Sequence, residues 1–316
     1  MPRIPASGVQ HTLRAGPYEA VIASVGASLR SLQHDGRGLV VSFDVDELRP
    51  DYRGATLAPW PNRVVDGRYS FRGQTYELPL TERGRGHALH GLASWLDFHV
   101  TGAKPDRVTL TATIEPQAGY PWRVDVETTF SLGPDGLTQS VRGRNRSESP
   151  APWGTAPHPY LSTGASSLDE CTLDLPASQV LLVSDDRLIP SALRPVDGEP
   201  AGRFDYRAPR PIGRARIDHA YTGLIRSDSG AAEVTLTATD GSGVVMAWDS
   251  ACPWVQIHTA DLPDGPAQAG HRIGLAVEPM TCAPDAYNDA NYDFDTALIE
   301  LAPGETAEAS WRIAAV

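Results

Sequence analysis

The sequence predicts an all-β fold, built as a large antiparallel sandwich. Short runs alternate apolar and polar residues with a period of two, as strands with one buried face do. Turn signals rich in glycine, proline and aspartate separate these runs. The chain also carries 29 glycines and 27 prolines spread along its length, and these interrupt any long helix. Many short strands divided by turns are typical of a sandwich.

The clearest strand run is residues 108–114, which read VTLTATI. Val124, Val126 and Phe130 continue the alternation in the next run, and the turn signal GPDG follows at 133–136. A valine or leucine at every second position predicts a strand that faces a core on one side.

Later runs repeat the pattern. Residues 234–238 read VTLTA, and DGSG at 240–243 supplies the turn after them. Ala307, Ala309, Trp311 and Ile313 predict a closing strand near the C-terminus. The sequence therefore predicts strands from end to end of the chain.

The stretch Asp185–Pro211 is rich in proline and arginine and has little periodicity. We expect a long excursion between sheets there, with a domain boundary as the less favoured alternative. The 316 residues are enough for two average domains, but all-β units often exceed the average. We therefore predict a single domain over residues 1–316.

The bulk charge excludes some partners. The formal net charge is -12 and the pI is about 5.2, and no Lys/Arg run forms a basic patch, so a nucleic-acid partner is not expected. No apolar run is long enough to cross a bilayer, and the N-terminus lacks the apolar segment of a signal peptide. These features predict a cytoplasmic protein with no membrane partner, and they leave monomer and homodimer open.

The three cysteines, Cys171, Cys252 and Cys282, are few, odd in number and widely spaced. No C-x-x-C motif occurs. Reduced, buried thiols are expected in place of a disulfide framework or a zinc site.

Several motifs stand in a defined order. Residues 54–63 read GATLAPWPNR, residues 67–78 read GRYSFRGQTYEL, and residues 88–91 read ALHG; PHPY at 157–160, IDH at 217–219 and VEPMT at 277–281 follow. This series resembles the aldose 1-epimerase (galactose mutarotase) family, and the similarity spans nearly the whole chain. The resemblance implies a many-stranded β-supersandwich with a sugar cleft on one face.

It also implies a reaction, the interconversion of the α and β anomers of a free monosaccharide. That chemistry needs one acid, one base and a firm hold on the other hydroxyl groups. It needs no cofactor and no metal, and the sequence has neither a P-loop nor a His/Cys cluster at ligand spacing. The predicted partner is therefore a small sugar.

Glu278 is the candidate base. Ile273, Leu275 and Val277 alternate on one face of a predicted strand, so that Gly274, Ala276 and Glu278 share the other face. Two small residues before the carboxylate are expected to leave room for a ligand. The family often has glutamine where Met280 stands.

His158 is the candidate acid, because a proline on each side restricts its backbone. In the sugar complex, an ionised Glu278 nearby is expected to raise the pKa of His158 above its ordinary value of about 6.5. The resemblance implies that His90 assists by hydrogen bonding near the ring oxygen. In this chain Leu92 replaces the second glycine of the usual Leu-His-Gly-Gly.

Four further residues are predicted to bind substrate. Arg63 offers several donors in a planar fork, with a structural salt bridge as the alternative, and Asn62 precedes it in the motif. The resemblance implies that Asp218 accepts hydrogen bonds from sugar hydroxyls. Gln256 shares a strand face with His258.

Aromatic side chains are a further set of candidates, because indole rings stack on the apolar faces of sugars. Most tryptophans of a sandwich lie in its core, and Trp153 and Trp254 are the preferred exceptions because they lie near other candidate residues. Trp153 is predicted to bind substrate. The full set comprises Trp60, Trp95, Trp122, Trp153 and Trp254.

Three alternatives remain open. One is a mutarotase of a modified or charged aldose such as a sulfosugar, whose anion Arg85 and Arg272 would neutralise. Another is a phosphosugar epimerase, although no arginine cluster lies near the motifs. The last is a sugar-binding module without catalysis, which both Glu278 and His158 argue against.

Overall fold

The computed structural model describes residues 3–164, 166–198 and 202–316. In chain order the strands are β1 Gln10–Ala15, β2 Tyr18–Ala23, β3 Ser28–His34, β4 Arg37–Gly38, β5 Thr56–Leu57, β6 Arg63–Val64, β7 Arg68–Phe71, β8 Gln74–Glu77, β9 Ala88–Leu89, β10 His99–Lys104, β11 Arg107–Ile114, β12 Val124–Gly133, β13 Gly136–Asn145, β14 Ala151–Trp153, β15 Ala156–Pro157, β16 Tyr160–Leu161, β17 Thr172–Asp174, β18 Ala177–Val183, β19 Pro190–Pro195, β20 Arg210–Pro211, β21 Asp218–Leu224, β22 Ala232–Thr237, β23 Gly243–Trp248, β24 Trp254–His258, β25 Leu275–Met280, β26 Ile299–Leu301 and β27 Thr306–Ala315.

Helical structure within these described ranges is limited to short 3₁₀ segments, at Pro50–Tyr52, Val65–Gly67, Ala93–Trp95, Leu168–Glu170, Gly265–Ala267 and Ala286–Asn291. None of the described helices has the length and apolar character required to cross a bilayer.

Two large antiparallel sheets dominate the fold. Nine strands pair in the order β10-β11-β12-β13-β27-β23-β22-β17-β20, and six pair in the order β16-β25-β24-β21-β18-β19. Strands β1 to β4 form a third sheet, and two-stranded ribbons join β14 to β26, β15 to β5, β6 to β9 and β7 to β8. The all-β, antiparallel prediction is therefore confirmed.

One apolar cluster lies between the two large sheets. Val141 and Ile313 reach it from the nine-stranded sheet, and Val255, Ile257 and Val277 reach it from the six-stranded sheet. Because side chains alternate along a strand, residues 254, 256, 258, 276 and 278 point away from this cluster. The site is built on that outer face.

The period-two runs are strands as predicted. β11, β12, β22 and β27 cover them, and in β12 the alternate residues from Val124 to Leu132 are buried. The three cysteines are free and buried, as expected.

The stretch Asp185–Pro211 does run between sheets, but it contains strands that the sequence pattern missed. β19 pairs with β18 at the edge of the six-stranded sheet, and β20 pairs with β17 at the edge of the nine-stranded sheet. Prolines at strand ends are tolerated on edge strands, where one side needs no ladder hydrogen bonds. Residues 199–201 of this stretch lie outside the described residues.

Candidate active site

The register of the six-stranded sheet aligns five polar side chains on its outer face. Gln256 of β24 lies opposite Glu278 of β25, and His258 lies opposite Asp218 of β21. Tyr160 of β16 lies opposite Ala276 on the same face. Cross-strand partners have neighbouring side chains, so the sheet alone places Glu278 and Gln256 in one row and Asp218 and His258 in the next row.

The β6–β9 ribbon brings two more predicted residues to this face. Arg63 pairs with Leu89, and Asn62 and His90 stand at the ends of the two strands. The amide of His90 donates to the carbonyl of Asn62 at 2.8 Å, and the amide of Asn62 donates to Nδ1 of His90 at 3.2 Å. The side-chain oxygen of Asn62 accepts from the amide of Arg63 at 3.0 Å. Asn62 thus orients both His90 and Arg63.

The turn after His90 explains which glycine of the motif is retained. Gly91 has a φ of 70°, and a Cβ there would collide with the carbonyl of Ala58. Leu92 has a φ of -114°, which any residue adopts. The replacement of the second glycine by Leu92 therefore leaves the turn that presents His90 unchanged.

His158 reaches the cleft from the connection between β15 and β16. Its Nε2 lies 3.4 Å from Oε1 of Glu278, and both side chains are buried. The ring of His90 meets the ring of His158 edge-on, with centroids 4.8 Å apart. The predicted acid, base and assisting histidine therefore converge.

These residues line a cleft of about 300 Å³, a volume within the lower range of small-molecule sites. Its walls combine carboxylates, imidazoles, two amides and two guanidinium groups. They comprise Asp51, Tyr52, Asn62, Arg63, Glu82, Arg85, Leu89, His90, His158, Tyr160, Asp218, Gln256, His258, Asp261, Leu262, Pro263 and Glu278.

Buried polar atoms of this cleft lack hydrogen-bond partners among the described residues. They are Nδ1 of His158, Oε1 of Gln256, Nδ1 of His258 and Oε2 of Glu278. Unpaired buried polar groups are costly and are rare in native proteins. A ligand with many hydroxyl groups would supply the missing partners.

Burial acts on both members of the acid–base pair. It raises the pKa of Glu278 well above its ordinary value, with the nearby charge of Asp218 as a second cause. It lowers the pKa of His158, with the nearby His258 adding to the effect. The rise in the pKa of His158 that is expected for the sugar complex stays a prediction, because the lowered pKa belongs to the cleft without sugar, where desolvation dominates.

The hydrogen bond that His90 accepts also fixes its tautomer. Since Nδ1 accepts from the amide of Asn62, the neutral ring carries its proton on Nε2. Burial lowers the pKa of His90 well below 6.5, so the ring stays neutral. His90 therefore presents an N–H donor to the cleft.

The same tautomer bears on metal binding. Ligand atoms of His90, His158 and Glu278 lie within 4.8 Å of one another, close enough to hold one ion. A protonated Nε2 cannot coordinate a metal, and moving its proton to Nδ1 would oppose the amide of Asn62. The donor set fits hydrogen bonding to a ligand better than it fits a metal.

Arg63 combines the two roles considered for it. Its Nε and Nη2 donate to the two carboxylate oxygens of Glu82 at 2.8 and 3.0 Å, and Nη1 donates to Asn62 at 3.3 Å. The guanidinium also lines the cleft, with N–H groups to spare because it has five. The salt bridge thus fixes the orientation of a guanidinium that lines the cleft, and its predicted role in binding substrate stays a prediction.

Asp218 remains an acceptor despite its burial. Burial by itself would raise the pKa of its carboxyl group, but the nearby His258 and Arg63 outweigh that effect and lower the pKa. Nε2 of Gln256 donates to Oδ1 of Asp218 at 2.6 Å. An ionised carboxylate can accept hydrogen bonds from hydroxyl groups, so the role predicted for Asp218 stays a prediction that this environment permits.

The structure does not bring Trp153 to the cleft. Its side chain is fully buried, and its ring packs so closely on Gly143 that a Cβ there would clash. Trp254 is also buried, in an apolar cluster that includes Met280. The prediction that Trp153 stacks on substrate is corrected: it is a core residue.

Two finer expectations also change. Gly274 precedes β25, and a Cβ there would lie 2.6 Å from Cγ2 of Val41; the glycine permits close packing and does not leave space for a ligand. Arg272 donates to Asp169, to Asp261 and to two backbone carbonyls. It is therefore a structural cross-link and is not available to an anion in the cleft.

Three residues that line the cleft were not predicted from the sequence, namely Glu82, Tyr52 and Tyr160. Tyr52 meets the ring of His90 at 4.7 Å between centroids. Tyr160 directly follows the His-Pro pair in the quoted motif, so position alone could have suggested it. Glu82 lies in a polar loop that carries no motif, and only tertiary pairing with Arg63 distinguishes it.

The fold and the site define this protein as a β-sandwich that holds a buried histidine–glutamate pair in a polar cleft. A family model described as Aldose 1-epimerase matches residues 9–314. The chain therefore belongs to the aldose 1-epimerase family, as the motifs had indicated.

Individual relatives are similar over nearly their whole length. The chain is 34% identical over 296 residues to a protein of Escherichia coli (strain K12) named uncharacterized protein YihR, and the alignment covers 93% of this chain and 90% of that protein. It is 25% identical to galactose mutarotase of Mus musculus, and this alignment also covers 93% of this chain and 90% of the relative.

Solved structures show the same fold. A homologue of GalM/aldose epimerase from C. elegans superposes with a TM-score of 0.81 at 18% identity, covering 98% of this chain and 100% of that one. A galactose mutarotase-like protein from Clostridium acetobutylicum superposes with a TM-score of 0.81 at 18% identity, covering 96% of this chain and 94% of that one.

Proposed function

We propose that this protein is a mutarotase that interconverts the α and β anomers of a free aldose without a cofactor. The observation that carries the proposal is the contact between His158 and Glu278, a buried acid–base pair in a cleft of unpartnered polar atoms. O1 and O5 of a pyranose are both bonded to C1 and are therefore neighbours. An acid and a base in contact with each other suit two neighbouring oxygens.

The pair holds one proton throughout the proposed reaction. With the proton on His158, the carboxylate of Glu278 takes the hydrogen of O1–H. The C1–O5 bond breaks, its electron pair goes to O5, and O5 takes the proton from Nε2 of His158 as C1=O1 forms. Rotation about C1–C2 and the reverse steps give the other anomer.

The remaining residues hold the sugar and stabilise charge. The N–H at Nε2 of His90 donates toward the ring oxygen as negative charge develops there. Arg63 donates to hydroxyl groups and Asp218 accepts from them. Gln256 donates to Asp218 and lies opposite Glu278 in the sheet, and it offers its free Oε1.

A charged aldose is the second candidate, and one observation favours it. A cavity of about 380 Å³ adjoins the cleft and shares Asp218 and His258 with it. Arg203 and Arg216 line its wall, and the side chain of Arg216 is 79% exposed, with the carboxylate of Asp261 at 3.9 Å. Such guanidinium groups would bind an anionic substituent.

Polarimetry on a panel of sugars tests the proposal. Freshly dissolved α-glucose, α-galactose, other aldoses and a sulfosugar are followed with and without the protein, and the spontaneous rate is subtracted. We expect acceleration of at least one sugar, and a preference for the sulfosugar would select the second candidate. Binding without acceleration of any sugar would instead indicate a non-catalytic module.

A further inference from the structure

The segment that carries Glu278 continues past the end of β25 and stays inside the protein. All eight of its residues, 278–285, are buried. Two of them, Thr281 and Asp285, have polar side chains that take no part in the proposed proton transfer and do not line the described cleft. Polar side chains are seldom buried in this way unless partners hold them, so their partners show what they do.

Thr281 holds the part of the chain that leads to His158. The amide of Thr281 donates to the carbonyl of Thr155 at 3.1 Å, and the amide of Thr155 donates to Oγ1 of Thr281 at 2.9 Å. Two residues beyond His158, Tyr160 pairs with β25 itself. The connection that presents His158 is therefore held at both ends by the strand of Glu278 and its continuation.

Asp285 holds the strand that carries Arg63. Its amide donates to the carbonyl of Arg63 at 2.8 Å, and its Oδ1 accepts from the amide of Val65 at 2.8 Å. Nδ2 of Asn288 also donates to Oδ1, and the hydroxyl of Tyr292 donates to Oδ2. The φ of Asp285 is 59°, a left-handed conformation that aspartate adopts more readily than most residues do. Asp285 thus gives β6 a second neighbour beside β9.

From these contacts we propose that Thr281 and Asp285 are positioning residues, and that the segment 278–285 sets where the acid and the binding group stand relative to the base. The proposal rests on the proposed function. Thr281 acts on His158 through Thr155 and therefore governs kcat, because proton transfer requires acid and base within hydrogen-bond reach of the sugar. Asp285 acts on Arg63 through β6 and therefore governs KM, since Arg63 is proposed to hold hydroxyl groups.

The first half of the test uses Thr281→Val, which keeps the shape of the side chain and removes the acceptor for the amide of Thr155. In polarimetry with the sugar that the wild type turns over fastest, we expect kcat to fall about tenfold, the effect of a small displacement of the reacting groups, with little change in KM. Thr281→Ser keeps the hydroxyl and should retain most of the turnover. Thr128→Val is the control, because it removes a buried hydroxyl of β12 that accepts from Gln139 at 3.1 Å; kcat and KM should stay unchanged.

The second half uses Asp285→Ala, which removes the acceptor for the amide of Val65. We expect KM to rise about tenfold, the upper range for one buried hydrogen bond, and kcat to change much less. Asp285→Asn keeps an oxygen toward Val65 and should restore most of the affinity. Tyr292→Phe leaves Asp285 in place and takes away one donor to its carboxylate, so we expect KM to rise about threefold.

The split between the two kinetic constants distinguishes positioning from general destabilisation. Parallel changes in kcat and KM in both halves, or equal losses in Thr128→Val, would overturn the proposal. Wild-type constants in Thr281→Val and Tyr292→Phe would overturn it as well, even if Asp285→Ala did not fold. All of these outcomes require an active wild type. Failure of the wild type on every sugar would instead overturn the proposed function itself.

Discussion

Burial controls the protonation of His158 and Glu278 more strongly than their mutual contact does. Desolvation disfavours both the imidazolium and the carboxylate, so the pKa of Glu278 rises and that of His158 falls. A pair with one proton is neutral overall, whichever member carries it. Gaining a second proton or losing the last one creates a net charge in a buried site, so the singly protonated pair persists over a wide pH range.

The pH–rate profile should therefore have a broad plateau that includes neutral pH. In the wild type, activity is lost on the acid side only when the pair takes a second proton, and the lowered pKa of His158 places that step below 6.5. In His158→Asn no second group shares the proton, so Glu278 must ionise alone before it can act as a base. Because the pKa of Glu278 is raised, the residual activity should fall at a higher pH than the wild-type activity does. An acid limb at the same pH in both proteins would show that the two groups do not share a proton.

Trp153 gives a prediction that separates a core residue from a binding residue. Trp153→Leu should lower the free energy of unfolding by about 2–4 kcal/mol, since it removes a large, fully buried ring. The KM for sugar should stay unchanged, because the ring does not reach the cleft. Urea unfolding and polarimetry measure the two quantities, and a raised KM with intact stability would restore Trp153 as a substrate contact.

For single residues, the position of a side chain in the cleft was most predictable where a short motif surrounds the residue. Glu278, His158 and His90 each lie in such a motif, and all three meet in one cleft. Trp153 could not be assigned, because the burial of a tryptophan depends on which strands pack over it. The pKa shift of His158 also depends on desolvation, which no local pattern reveals.

At the level of elements, the β6–β9 ribbon and the loop before β9 act together. The loop presents Glu82, whose carboxylate accepts from Arg63 and from Nη1 of Arg85 at 2.7 Å. His87, at the other end of the loop, accepts from the amide of Asp66 and contacts the carbonyl of Arg187. The loop is thus held on both sides, and Glu82 is a positioning residue for Arg63.

Glu82→Gln should raise the KM about tenfold, equivalent to about 1.4 kcal/mol, and should change kcat much less. Arg63 would keep its charge but lose the two-pronged acceptor that fixes its fork. Glu308→Gln is the matched control, because Glu308 accepts from Arg142 at an exposed site on the nine-stranded sheet. A tenfold fall in kcat with no change in KM would contradict the role of Glu82 in positioning Arg63.

The strands themselves were predictable wherever they alternate strictly, as β11, β12, β22 and β27 do. The edge strands β19 and β20 were not, because proline and arginine obscure the period and pairing at an edge comes from the neighbouring strand. The role of Gly274 was also misjudged, since the contact with Val41 joins distant parts of the chain.

For the whole molecule, the two-sheet architecture explains how residues so distant in sequence form one site. Arg63 and His90 come from a ribbon, His158 from a connection, and Asp218, Gln256 and Glu278 from the outer face of one sheet. The proposed mechanism uses these side chains alone.

Activity should therefore be insensitive to chelators. Preincubation with excess EDTA, followed by gel filtration, should leave the polarimetric rate unchanged, because His90 presents a protonated nitrogen where a metal would need a lone pair. Loss of activity that one divalent ion restores would contradict this assignment of His90.

Glu278 is proposed to move the proton of the anomeric hydroxyl, and a comparison of turnover with sugar affinity separates this role from a role in binding. Mutarotation of the best substrate by wild type and Glu278→Gln is followed by polarimetry, while calorimetry measures sugar binding to both. We expect Glu278→Gln to bind sugar with a similar Kd and its turnover to fall about a hundredfold or more, the scale for losing a general base. If Glu278→Gln turned over sugar at the wild-type rate, Glu278 would not be the base.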